Sequence, residues 1–500
     1  MDVLTLGSQR LIHLDMKGAP PRLSYLDKLF PLLRDWGATG LLIEWEDTFP
    51  YTDDLSLLGS RSEHNESIGG FYTIEEVNQI QDLATINSLS VIPLIQTFGH
   101  LEFLLKHSKW RSLREVENYP SSMCPSHSDS LPTIRKIITQ IIKNHPNIQY
   151  IHIGADEVWH MGLCPSCERR VQTCKNGKAD LFLEHIMNVA QFIKDHYPNL
   201  KIIIWDDMLR NIDTAVLQEY NLGTLVEPMV WHYNPMETFS LGPSLWDKYS
   251  NVFPNIWIGT AFKGATGCTQ IVPVHRHHIS NHETWLAELN SNVNKIQNFR
   301  GCAFTGWSRY DHYALLCELL PCALPSLALC LKVWLNGGYN TNLLKSVSKM
   351  LGYINVPLSL EPPIRPTPIP TELLFPGWQI LVGMEWFLNT KYRYKSIVES
   401  DQLDAWFNSS QIRKNYTNPM QIERFIGIFT DLLFEVSSVE KYLRVQLDLV
   451  FNTNVGDEFI DSRITPIKEH IKQLKSDCEL QVSRGVQPYP SVNRVTSYPS

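Results

Sequence analysis

The sequence predicts an α/β fold: a (β/α)8 barrel followed by a mainly helical C-terminal module. Three observations carry that expectation. Between residue 10 and about 334, short apolar runs alternate with longer helical stretches eight times. Nearly every apolar run ends in charged or aromatic residues. After residue 335 the alternation stops, and a proline-rich stretch leads into segments with helical spacing only. Eight strand-then-helix units in roughly 325 residues is the arithmetic of a barrel, whereas a doubly wound open sheet rarely repeats so often.

The predicted strands are 10–16, 39–45, 90–96, 149–155, 201–206, 225–231, 255–261 and 300–306. Each is a near-continuous apolar run, as expected of parallel strands buried on both faces. Helices Ser24–Trp36 and Thr73–Ser88 follow the first two strands, and Leu131–Lys143 and Ala179–Tyr197 the third and fourth. His282–Asn298 follows the seventh, and Ala314–Trp334 closes the barrel. His275, His277 and His278 are expected in an exposed loop before that seventh helix. Asn336-Gly-Gly-Tyr stops the closing helix, and Glu361-Pro-Pro-Ile-Arg-Pro-Thr-Pro-Ile-Pro370 marks a linker. Amphipathic spacing in Ile422–Leu433 and Val439–Leu449 predicts helices. The expected organisation is a barrel over 1–335, a linker over 336–371, a helical module over 372–480 and a disordered tail over 481–500.

Composition narrows the function. The 43% hydrophobic and 19% charged content is that of an ordinary globular protein. A net charge of −8 and a pI of 6.1 recommend neither nucleic acid nor an anionic membrane as partner. The N-terminus shows no basic segment followed by a long apolar one, and no run of ~18 apolar residues follows, so neither secretion nor a membrane span is expected. Ten cysteines without small-domain spacing read as reduced thiols, and the expected location is nucleocytoplasmic. The sequons at Asn65, Asn408 and Asn415 are then unused.

The chemistry lies at the strand ends. In order these are Asp15-Met-Lys17, Glu44-Trp-Glu-Asp47, Gln96-Thr-Phe-Gly-His100, Asp156-Glu157, Trp205-Asp-Asp207, Trp231-His-Tyr233, Phe262-Lys263 and Trp307-Ser-Arg-Tyr-Asp311. In a barrel these ends share one face and can act on one ligand. The fourth, Tyr150-Ile-His-Ile-Gly-Ala-Asp-Glu157, is the sharpest: an apolar strand stops at two adjacent carboxylates, with Trp159 just beyond. Two carboxylates that close repel, so one tends to keep its proton near neutral pH, a pairing suited to acid-catalysed bond cleavage. The plainer reading is a surface pair capping a helix.

His152-Ile-Gly-Ala-Asp-Glu157 resembles the H-x-G-G/A-D-E signature of glycoside hydrolase family 20, the β-N-acetylhexosaminidases. Phe98-Gly-His100 and the tryptophans at strand ends five, six and eight match that family too. The resemblance covers residues 10 to about 334, and the chain is similar to members that lack an N-terminal accessory domain. It implies retaining hydrolysis in which the sugar's own 2-acetamido group attacks the anomeric carbon, a departure from the two-carboxylate scheme. Glu157 would then be the general acid/base, and Asp156 would accept from the acetamide N–H. Trp205, Trp231 and Trp307 would wall the sugar, and Tyr233 would donate to the acetamide carbonyl. Asp15 and Lys17 stand where many members place an arginine for sugar hydroxyls, and Arg309 and Asp311 follow Trp307 where an acidic residue is usual. His100 and His152 either brace the carboxylates or are structural. The substrates implied are terminal N-acetylhexosamine glycoconjugates, with N-acetylgalactosamine tolerated or preferred. No cofactor and no catalytic metal are expected, and a homodimer is one expected assembly. An amino-sugar-binding barrel with little turnover, or a scaffold, are the alternatives.

One cluster stands apart. Cys164-Pro-Ser-Cys167 has the C-x2-C spacing of a zinc knuckle, and Cys174 and Cys124 are expected on the same face, completing four sulfur ligands. Such a zinc would be structural. A loop of reduced thiols, or a redox-sensitive pair, is the alternative.

Overall fold

Eight parallel strands close into a barrel: β1 (Gln9–Asp15), β2 (Gly40–Glu44), β3 (Ser90–Leu94), β6 (Tyr150–His152), β7 (Lys201–Trp205), β8 (Val226–Trp231), β9 (Asn255–Lys263) and β10 (Asn298–Gly306), with β10 returning to β1. An antiparallel hairpin, β4 (Arg114–Val116) with β5 (Tyr119–Met123), is inserted between β3 and β6. The structure, a computed structural model, describes residues 7–58, 72–354, 358–361 and 372–485. Seven of the eight seams carry several register pairs. β9 and β10 run together from Asn255↔Asn298 to Lys263↔Gly306, whereas β3 and β6 share only Leu94↔His152.

The strands form where the apolar runs predict, because each run is buried both against the outer helices and inside the barrel. Leu11, Leu42, Ile92, Leu94, Ile203, Trp205, Met229, Trp257 and Ala303 fill the interior, so the barrel is a packed core with no pore. Helices lie near their expected positions at Leu23–Trp36, Ile74–Ile86, Ser130–Lys143 and Lys178–His196.

Four expectations are corrected. The helix after β9 runs His275–Asn292, starting seven residues early, so the histidines belong to its first turn and His278 is buried. Histidines count as polar in sequence, yet His282, one turn on, stacks on Phe304 at 5.0 Å in the core. The closing helix is Leu320–Asn336; it starts later than expected because Pro321 suits a first-turn position. The stretch read as linker holds a helix, Thr341–Met350, capped by the Asn340 side chain. Its proline-rich run falls at 362–371, outside the described residues. Helix Thr465–Arg484 occupies the start of the expected tail, and 486–500 also lie outside the described residues.

Two compact units result. The larger holds the barrel, the described residues up to Leu381, and Leu447–Val455, where the Arg22 N–H donates to the Val450 carbonyl at 2.7 Å. The smaller, Val382–Gln446 with the described residues from Gly456 on, is helical around Phe387, Phe429, Leu432, Leu443, Phe459 and Ile471. In this unit Asn408 caps helix Ser409–Arg413 with its side chain. Among the described residues no helix is long and apolar enough to cross a membrane.

Candidate active site

The strand ends enclose a cavity of about 260 Å3 on one face of the barrel. That is below the ~300–1,000 Å3 of sites that bury drug-sized ligands, a size for one ring rather than an oligomer. Asp156 and Glu157 leave β6 through a tight turn with no helix; the next helix starts at Pro165. Gly154, Ala155 and Glu157 all have positive φ, at 62°, 69° and 49°, and His100 opposite has 50°. Such values in non-glycine residues cost energy and persist only where surrounding structure imposes them. The turn is held by close approach: a Cβ on Gly99 would lie 2.1 Å from the Asp156 carbonyl oxygen, and one on Gly154 would lie 2.0 Å from Gln96 Oε1.

The carboxylates share one histidine. His100 Nε2 lies 3.1 Å from Glu157 Oε2 and 3.6 Å from Asp156 Oδ2. Gln96 donates to Asp156 Oδ1 at 3.0 Å and accepts from the Ala155 N–H. Asp207 accepts from the Glu157 N–H at 2.9 Å and from Trp231 Nε1 at 3.2 Å, tying the acid turn to an aromatic wall.

These contacts set the electrostatics. Burial opposes charge on His100, but Asp156 and the bond to Glu157 outweigh it and lift the imidazolium to about 9. The same bond pulls Glu157 below its ordinary value despite partial burial. Burial pushes Asp156 up, and Glu157 adds to that. Burial and then the Asp156 charge push Asp207 up to about 7. The paired carboxylates therefore do titrate apart, with the higher value on Asp156 rather than Glu157.

Across the cavity stands a second charged wall. Burial opposes charge on Lys17, yet Asp15 and Glu46 outweigh it; its Nζ is 3.1 Å from Glu46 Oε1 and 3.6 Å from Asp15 Oδ1. Burial drives Glu44 well up, while Lys17 and His312, 2.5 Å from Glu46 Oε2, overcome burial at Glu46 and hold it down. Glu44 therefore holds a proton more readily than Glu46. Arg309 reaches in over Gly18, whose hydrogen leaves room for the guanidinium.

Aromatic rings close the remaining sides. Trp231 and Tyr233 stack at 5.0 Å, and Trp307 lies 6.1 Å from Trp205 and 6.4 Å from Tyr233. Burial raises the Tyr233 hydroxyl above its ordinary value, so it remains a donor.

Of the residues singled out in sequence, Lys17, His100, Asp156, Glu157, Trp205, Trp231, Tyr233, Trp307 and Arg309 line this one cavity. Three do not. The Asp15 carboxylate accepts from the backbone N–H of Lys17 and Ser308, joining the ends of β1 and β10. Asp311 accepts from the N–H of Tyr313 and Ala314, shaping its own turn. His152 lies beneath, accepting from the Gly154 N–H and packed 4.4 Å from Trp205; burial holds it down to about 3, uncharged. Trp159 is 71% exposed, and Lys263 turns to the Trp307 carbonyl. Glu44, Gln96 and Tyr310, which the sequence places at strand ends without giving them a role, also line the cavity. Asn234, three residues past β8, was missed; its place just beyond a strand end is the signal that would have found it.

Comparison with known proteins gives a consistent result. The family model described as "Glycosyl hydrolase family 20, catalytic domain" matches residues 44–238. Hexosaminidase D of Homo sapiens is 36% identical over 488 residues, 97% of this chain and 97% of the relative. Hexosaminidase D of Bos taurus is 42% identical over 344 residues, 69% of this chain and 96% of the relative. The crystal structure of a β-N-acetylhexosaminidase from Bacteroides fragilis shares the fold at a TM-score of 0.50 and 16% identity, over 70% of this chain and 71% of that one. With identity at that level along nearly the whole of both chains, this chain belongs to glycosyl hydrolase family 20 and is a glycoside hydrolase.

Proposed function

We propose that the chain is a retaining exo-β-N-acetylhexosaminidase that removes terminal β-linked N-acetylgalactosamine, and N-acetylglucosamine, by substrate-assisted catalysis. One observation carries the reading: Asp156 and Glu157 open side by side into a one-ring cavity walled by Trp205, Trp231, Trp307 and Tyr233. The acetamide carbonyl oxygen attacks the anomeric carbon as the glycosidic C–O bond breaks, and Glu157 gives its proton to the leaving oxygen. Asp156 accepts from the acetamide N–H and balances the positive charge of the oxazolinium ring; Tyr233 donates to the acetamide oxygen. Water then opens the ring, Glu157 takes its proton, and two inversions leave the configuration retained.

In the free site the proton preference is the reverse of what the first step needs. A bound sugar corrects it. The acetamide N–H favours charge on Asp156, while the ring covers Glu157, whose side chain is 34% exposed, and removes the water that stabilises its anion. Lys17 and Arg309 line the same cavity and offer N–H donors to the ring hydroxyls, Lys17 as a single point rather than a fixed fork. The ten free cysteines support a reducing, nucleocytoplasmic setting.

The test is release of 4-nitrophenol from its β-N-acetylgalactosaminide and β-N-acetylglucosaminide. Glu157→Gln should lower kcat/KM about 10²–10⁴-fold, and a thiazoline mimic of the oxazoline should inhibit the wild type. Folded wild type that turns over neither glycoside would overturn the reading and favour a sugar-binding barrel.

A further inference from the structure

The weakest seam of the barrel lies between β3 and β6, with its single register pair. The connections that leave these two strands bring together a cluster that the glycosidase chemistry does not use. Glu115 on β4 and Cys124, just past β5, come from the connection after β3; Cys164 and Cys167 come from the one after β6. One ligand atom from each of the four lies within 4.8 Å of all the others. Cys124 Sγ is 3.4 Å from Cys164 Sγ and 3.5 Å from Cys167 Sγ, and Cys167 Sγ is 3.2 Å from Glu115 Oε2. Four ligands around zinc at Zn–S ≈ 2.3 Å stand about 3.8 Å apart along a tetrahedron's edge, a few tenths of an ångström from these separations. Cys174 is not in the cluster, contrary to the sequence expectation. Helix Pro165–Thr173 separates it from Cys164 by about 15 Å of rise, and a carboxylate stands where the fourth sulfur was expected.

We propose that Cys124, Cys164, Cys167 and Glu115 bind one structural zinc ion that staples the connection after β3 to the connection after β6. The surroundings are built for it. Glu115 Oε1 already accepts from the N–H of Leu163 and Cys164, which aims Oε2 at the sulfurs. The Cys167 N–H donates to Cys164 Sγ at 3.3 Å. Arg170 donates to Ser126 Oγ at 2.7 Å, leaving that hydroxyl's hydrogen for Cys167 Sγ at 3.0 Å. Three thiolates and a carboxylate around Zn2+ carry a net charge of −2, and these donors, with Arg170 behind them, offset it. Binding releases the three thiol protons to solvent.

The link reaches the catalytic face through the hairpin. The Met123 N–H donates to the Phe98 carbonyl and the Leu101 N–H to the Ser121 carbonyl, on both sides of His100. Glu115 also holds the backbone at Leu163 and Cys164, in the same connection that carries Glu157.

The full chain, expressed with added zinc and purified without a metal-affinity step, should carry about one zinc per molecule by mass spectrometry of the elements. Cys164→Ser should reduce this to background, while Cys174→Ser should keep it. A second readout on wild type avoids any folding defect. Alkylation of the native protein should spare Cys124, Cys164 and Cys167 but modify the exposed Cys268, and stripping the zinc with a chelator in mild denaturant should let all three react, whereas the same denaturant without chelator should not. No zinc in wild type, zinc lost equally in Cys174→Ser, unshielded cluster cysteines, or a disulfide-linked Cys124–Cys164 peptide would each overturn the proposal.

Discussion

The two charged walls of the cavity are built on opposite terms. On the acid wall, Asp156 and Glu157 share one histidine on a backbone forced to positive φ, and Asp207 stands behind them on the Glu157 N–H. The repulsion is not fully paid back, so carboxyl values spread apart. On the facing wall, Lys17 pairs with Asp15 and Glu46, while burial biases Glu44 toward its neutral form. Stability is spent on the acid wall to keep reactive groups poised, and gained on the facing wall, where a donor need only be held still.

That contrast can be broken by substitution. Lys17→Met removes the cation from a buried set of carboxylates and should cost about 3–5 kcal/mol of stability, visible as a large fall in melting temperature. If the melt is unchanged, the facing wall is not an ion-paired unit. Asp156→Asn should act the other way round. It should lower kcat about 10²–10³-fold by losing the charge opposite the oxazolinium. Its melting temperature at pH 7.5 should hold or rise, because a carboxyl whose value is raised by burial costs stability once ionised. A variant both inactive and unstable would erase the distinction between the walls.

The smallest effect concerns His100. Its value rises to about 9 in the folded state, so its contribution is complete below about pH 6.5 and lost as pH climbs through 9. Thermal melts from pH 6 to 10 should converge for wild type and His100→Gln at the alkaline end and separate at the neutral end. Parallel curves would mean that His100 is not the proton holder of the acid wall.

Much of this molecule was legible because apolar runs and strand ends are local properties. The barrel strands, the acid turn and the tryptophan walls all follow from where an apolar run stops. What was hidden is which partner takes a lone pair. Asp15 and Asp311 occupy strand-end positions like those of Lys17 and Arg309, but backbone N–H groups lie closer to them than the cavity does. Gln96 and Asp207 reach the acid turn by side-chain bonds between neighbouring strands, and register decides those. The early helix at His275 was masked because its buried face is written in histidine and asparagine.

The single pair between β3 and β6 also bears on how the molecule breathes. There the Gln96 and Thr97 side chains substitute for ladder bonds, Thr97 Oγ1 donating to the Ile153 carbonyl at 2.7 Å. Amide protons near that seam, such as those of Ile95 and Ala155, should exchange with deuterium sooner than those of the long β9–β10 ladder. Since Asp156 and Glu157 leave from that seam, warming should silence the enzyme by a local opening several degrees before the barrel comes apart.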